Sequence, residues 1–116
     1  MIAFEVVHRG FMPKEIPDSY PALLEYEAKF RIVIDGQVFF EEPDFPIYEF
    51  LHFANDWKEQ DNRNFEYVSM ETEDNPLISF ICEGDLWTIH SPWQLFECTR
   101  QFAKEEIVRA LEQMIL

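Results

Sequence analysis

Residues 24 to 40, Leu-Glu-Tyr-Glu-Ala-Lys-Phe-Arg-Ile-Val-Ile-Asp-Gly-Gln-Val-Phe-Phe, decide the fold. Leu24, Tyr26, Ala28, Phe30, Ile32 and Ile34 alternate with Glu25, Glu27, Lys29 and Arg31. A period of two places the apolar set on one face of a strand. Asp35-Gly36 then supplies the positive φ that a two-residue hairpin turn demands. Val38 and Phe40 continue the apolar face on the return strand. This hairpin is the expected sheet nucleus.

Working outward, Ile2 to His8 reads as a first strand, with Ile2, Phe4 and Val6 on one face. Arg9 to Pro21 reads as a loop, because Gly10, Pro13, Pro17 and Pro21 exclude regular structure and Asp18-Ser19 is turn chemistry. Beyond the hairpin, Glu41-Glu42-Pro43-Asp44 should end the sheet and lead to a helix, with Asp44 as its cap and Pro46 in its first turn. Ile47, Phe50, Leu51, Ala54 and Trp57 form a core-facing stripe at helical spacing, ending near Gln60. Phe65 to Glu71, Leu77 to Cys82 and Leu86 to Ser91 read as strands, and Glu83-Gly84-Asp85 reverses the chain between the last two. Gln94 to about Arg100 reads as one more strand after the break at Pro92. A closing helix from about Phe102 buries Ile107, Val108, Leu111, Met114 and Ile115. It turns Lys104, Glu105, Arg109 and Glu112 outward. The expectation is a single α+β domain over residues 1–116. In it, a mostly antiparallel sheet of about six to seven strands lies under two helices, in the order β-β-β-α-β-β-β-β-α.

Composition narrows the function. Apolar residues make up 47% and aromatics 16%, so the chain folds around a core and is not an acidic tail. No stretch approaches the ~20 apolar residues of a membrane span. Glu5 comes early and no basic segment precedes an apolar run, so the start does not read as a secretory leader. Cys82 and Cys98 are then expected to be reduced, buried thiols in a cytoplasmic protein. Net charge is −14. Such a surface repels nucleic acid and anionic lipid. Residues 41 to 85 hold thirteen acids and two bases, Lys58 and Arg63. That concentration is retained against its own repulsion, which points to a basic protein partner. The candidate contact residues are Glu41, Glu42 and Asp44 before the helix, Asp56, Glu59 and Asp61 at its end, and Glu71, Glu73 and Asp74 in the next turn.

Trp57 is expected in the core. Either Trp87 or its neighbours across the strand face inward, and sequence leaves that open. Trp93, after Pro92, is the tryptophan most apt to be exposed, as an interface anchor beside acids, although burial is the rule for large aromatics.

Catalytic chemistry finds little footing. Glu49, His52 and Asp56 share a helical face and could ligate a metal, but known helical carboxylate sites draw ligands from several helices, and the wet side of an amphipathic helix is the favoured reading of these three. His90 and Ser91 point to opposite sides of a strand and form no nucleophile–base pair, even with His8 nearby. No glycine-bracketed serine is present. Neither a cofactor nor a catalytic set is expected.

The hairpin, Glu49-Phe50-Leu51 leading to Trp57, then Phe65-Glu66-Tyr67, Asn75-Pro76-Leu77-Ile78-Ser79-Phe80, Ser91-Pro92-Trp93 and a final helix, spanning residues 24 to 116, together resemble small bacterial immunity proteins of the type that neutralises wall-associated contact-dependent toxins. The resemblance implies an α+β protein that binds and blocks a toxin, often a nuclease. The alternative is a small domain that self-associates or binds a ligand, its acids merely solubilising. Monomer and homodimer both remain open.

Overall fold

A computed structural model describes residues 1–7, 12–70 and 72–114. His8, Glu71 and Ile115 lie outside the described residues, as do residues 9 to 11 of the first loop. The elements run β1 (Ile2–Val7), α1 (Tyr20–Glu25), β2 (Ala28–Ile34), β3 (Gln37–Phe45), α2 (Ile47–Lys58), β4 (Phe65–Tyr67), β5 (Ile78–Glu83), β6 (Leu86–His90) and α3 (Lys104–Glu112). The fold is α+β, and every strand pairing is antiparallel.

The central hairpin forms as the alternation dictates. Asp35 and Gly36 take φ of 50° and 82°, and residues 28–34 alternate strictly between buried and half-buried. The β-pattern reaches back only to Ala28, however. Leu24 and Glu25, expected in the strand, belong to α1. Ser19 caps that helix by accepting from the Ala22 N–H, and Pro21 fits its first turn. Leu23 is its buried residue, and the helix packs on α2.

β3 also runs longer than expected. Ala28 pairs with Phe45, past a register shift opposite Glu42, so Asp44 sits in the strand and does not cap α2. Pro46 takes the cap position, and no side chain caps the helix there. A second irregularity opposite Ile32 and Val33 frees Phe39 from strict alternation. Phe39 and Phe40 are consequently both buried, while Val38 is half-exposed.

The strands divide into two sheets, β1-β2-β3 and β4-β5-β6. Their aromatic faces meet over α2. Phe30 stacks on Phe45 at 4.6 Å, Phe4 lies 6.2 Å from Phe50 and 6.3 Å from Phe80, and Trp57 meets Trp87 edge-on at 5.1 Å. Trp57 and Trp87 are both core residues.

The segment expected as a strand over Gln94 to Arg100 is irregular. Ser91 and Gln94 close a turn on each other, through Gln94 N–H to the Ser91 carbonyl at 3.2 Å and Ser91 N–H to Gln94 Oε1 at 3.2 Å. The chain then bonds to both sheets through its backbone. Leu95 N–H donates to the Phe39 carbonyl at 2.8 Å, and Phe102 pairs with Trp87 through two 2.8 Å bonds. Both contacts fall on outer strands, so this strap covers edges that would otherwise present unpaired backbone.

The last helix starts at Lys104 and buries Ile107, Ala110 and Leu111. Lys104, expected to point outward, turns inward. Its ammonium sits 4.8 Å over the Trp57 ring and donates to the Trp57 and Gln60 carbonyls at the C-terminal end of α2. A cation there meets both the aromatic face and the negative end of the helix.

Candidate functional site at the end of β3

Glu42 and Asp44 lie two apart on β3, where the strand runs on toward Pro46. Together with Phe45, Pro46, Leu77 and Trp93 they line a groove of about 140 Å³. Ser69 and Thr72 complete its wall. Trp93 is half-buried and held on two sides. Its ring lies parallel to Phe40 at 6.4 Å, and its indole N–H donates to Asp74 Oδ2 at 2.8 Å. The loop bearing Asp74 is itself fixed by Asn75, whose side chain donates to the Ser69 and Thr72 carbonyls and accepts from the Ser69 N–H. That pairing takes over where β4 stops at Tyr67, short of the expected strand to Glu71. Val68 and Met70, on either side of Ser69, are exposed.

The groove thus brings together Glu42, Asp44 and Trp93 of the expected contact residues, with Asp74 joined to them through its bond to Trp93. The others lie elsewhere. Glu41 is met by Arg31 at 2.9 Å, and the same guanidinium reaches Glu5 at 3.7 Å. Asp56 and Glu59 are exposed at the far end of α2, roughly 15 Å along the helix from Pro46 at 1.5 Å per residue. Asp56 accepts from Gln60 there. Asp61 lines a broader concavity of about 590 Å³ with Lys58, Lys104 and Arg109, where the charge is mixed. Glu73 is exposed.

The helical trio of Glu49, His52 and Asp56 does not make a metal site. His52 and Asp56 face solvent, while Glu49 is fully buried. Tyr67 donates to Glu49 Oε1 at 2.6 Å, and Tyr20 donates to Oε2. Helical spacing aligns the three, but Tyr20 and Tyr67 close over Glu49 while His52 and Asp56 stay exposed, so one face is dry at Glu49 and wet at Asp56. No group of three or more His, Cys, Asp and Glu among the described residues could hold a metal ion. Burial, reinforced by the bond to Glu49, pushes the Tyr20 hydroxyl up to about 12. Burial first, and then the bond to Glu49, also raise Tyr67, against a smaller opposing pull from its bond to Ser69. The sequence offered one signal for this cluster: Tyr67 follows Phe65 on the buried face of a strand, and a buried hydroxyl needs a partner. Its identity depended on α1, which was not foreseen.

Cys82 and Cys98 are free thiols. No helix among the described residues is long and apolar enough to cross a membrane. No curated protein and no solved structure matches the chain. Residues 3–115 match the family model described as a domain of unknown function, DUF7878, and the chain therefore belongs to that family.

Proposed function

We propose that this is a non-enzymatic binding protein, an immunity-type inhibitor whose acidic surface receives a basic protein toxin. One observation carries the reading: Glu42, Asp44 and Asp74 converge on an immobilised, half-buried tryptophan at the end of β3. The placement of the bases supports it. Arg100 reaches Asp35 at 2.7 Å and Glu106 at 3.3 Å, and Arg31 serves Glu5 and Glu41, so these two cations are committed away from the groove. A basic toxin, such as a nuclease with a cleft for phosphate, would be drawn to the chain's net charge of −14. Steering of this kind raises association rates by roughly 10–10³-fold and fades with salt.

The test begins with the genes beside this one. A secreted toxin encoded next to it, co-expressed with this chain, should lose its toxicity. Stopped-flow association should then slow about tenfold on Glu42→Lys with Glu59→Lys, and the salt dependence should flatten. Glu41 is a poor choice for reversal, because a lysine there would face Arg31. Unchanged rates and an unchanged salt slope in the double variant would refute acidic steering, and slowing with Glu59→Lys alone but not with Glu42→Lys alone would refute the role of the groove.

A further inference from the structure

The groove's size and lining say more about what enters it. A volume of about 140 Å³ is a few water volumes at ~30 Å³ each. Small-molecule sites run to roughly 300–1,000 Å³, so this one holds a single side chain presented by another molecule. Phe45, Pro46, Leu77 and the indole of Trp93 provide apolar walls, and Glu42 adds a carboxyl group. An occupant that suits both must have an apolar stem and a cationic head. Arginine suits it better than lysine: its planar guanidinium stacks on aromatic rings and offers five donors to carboxyl oxygens. Val68 and Met70, 53% and 72% exposed beside Ser69, offer apolar area for the residues flanking such a side chain. Trp93 is already fixed by Phe40 and Asp74, so little ordering remains for binding to accomplish.

We infer that the groove is an arginine-docking slot, receiving one arginine side chain of the basic partner between Trp93 and Glu42. The inference rests on the binding-protein reading above and narrows it to one contact.

The test titrates the isotopically labelled full chain with N-acetyl-arginine amide and follows its amide and indole N–H resonances. N-acetyl-citrulline amide, similar in shape and uncharged, is the control. Trp93→Phe assigns the Trp93 indole signal by removing it. The arginine amide should move that signal and the Thr72 and Leu77 amides saturably, and the citrulline amide should not. Glu42→Gln should weaken the effect about threefold, the size an exposed ion pair supplies. Glu112→Gln makes the same charge change on α3 and should leave binding as it was. No saturable shift, an equal response to citrulline, or equal weakening by Glu112→Gln overturns the slot. A basic partner that binds while the Trp93 indole signal stays in place sinks the slot and spares the wider reading. Arginine amide bound at Trp93, with no basic protein bound at all, does the reverse.

Discussion

Glu49 is the residue whose replacement discriminates best between accounts of this fold. Its carboxyl group has no exposed surface, and it accepts from Tyr67, also fully buried, and from Tyr20, which is 38% exposed. Tyr67→Phe leaves one buried acceptor without its donor, which costs about 1–3 kcal/mol. The upper half of that range applies, since both groups are sealed from water. Tyr20→Phe should cost about 1 kcal/mol or less, because water can reach the vacated position. Glu49→Leu keeps much of the volume but strands two hydroxyls, and should cost about 2–4 kcal/mol. The triple variant Tyr20→Phe, Glu49→Leu, Tyr67→Phe removes the carboxyl and both phenol hydroxyls at once, leaving only Ser69, the other side chain bonded to Tyr67. Replacing all partners by apolar groups of similar shape is close to neutral, so the triple should recover most of the loss of the single Glu49→Leu.

Urea unfolding followed by tryptophan fluorescence measures all four variants, with a constant m-value as the check on two-state behaviour. The reasoning fails if Tyr20→Phe costs more than Tyr67→Phe. It fails equally if the triple variant is as unstable as the sum of its parts, for then packing, and not the unpaired hydroxyls, sets the cost.

Three further outcomes follow from other parts of the structure. Tyr20, Tyr48 and Tyr67 all have hydroxyls raised above their usual value, chiefly by burial. The unfolded chain therefore loses these protons first as pH rises, so stability is intact below about pH 10 and falls above it, and Tyr67→Phe should flatten that fall in alkaline melts. Lys104→Met keeps the stem over Trp57 but removes the ammonium from the end of α2, so it should cost about 1–2 kcal/mol in urea, and less at high salt. Gly36→Ala meets no atom within 4 Å, so its cost in thermal unfolding should be the backbone strain alone, about 1–2 kcal/mol at positive φ.

What sequence made legible is what short-range physics determines. The hairpin at Asp35-Gly36 and the stripe on α2 needed only alternation, turn chemistry and helical period, and both formed. The six residues of α1 are too few to show a period, so its start signals, Ser19 and Pro21, were submerged in a proline-rich stretch. The stretch from Gln94 to Arg100 has strand-like composition, but its Leu95 N–H goes to Phe39, and the pairing with Trp87 comes only at Phe102, partners fixed only once both sheets exist. Glu49 was misplaced for the same reason: its exposure is set by Tyr20 and Tyr67, each distant in sequence. Of the acids, local sequence gave position along the chain. It could not give the fold's selection of Glu42, Asp44 and Asp74 from among them, which depends on Trp93 returning to Phe40 from about fifty residues downstream.

The segment that carries the charge also carries the centre of the core. Phe45, Phe50, Trp57, Phe65, Tyr67 and Phe80 all fall between residues 41 and 85, and their rings touch in succession. Mutual repulsion among thirteen acids would loosen a weakly packed segment. Among the described residues, Glu41, Glu42, Asp44, Asp56, Glu66 and Glu83 are carried on strands or on α2, and some stand next to a ring that is almost wholly buried, as Asp44 is beside Phe45 and Glu66 is between Phe65 and Tyr67. The repulsion thus acts on a frame that cannot spread to relieve it. A field held in fixed geometry loses little to reorganisation when a cation arrives, which is the condition under which charge contributes most to recognition. The proposed basic partner would meet such a fixed field, whereas solubility alone would be served by scattered charges on any frame.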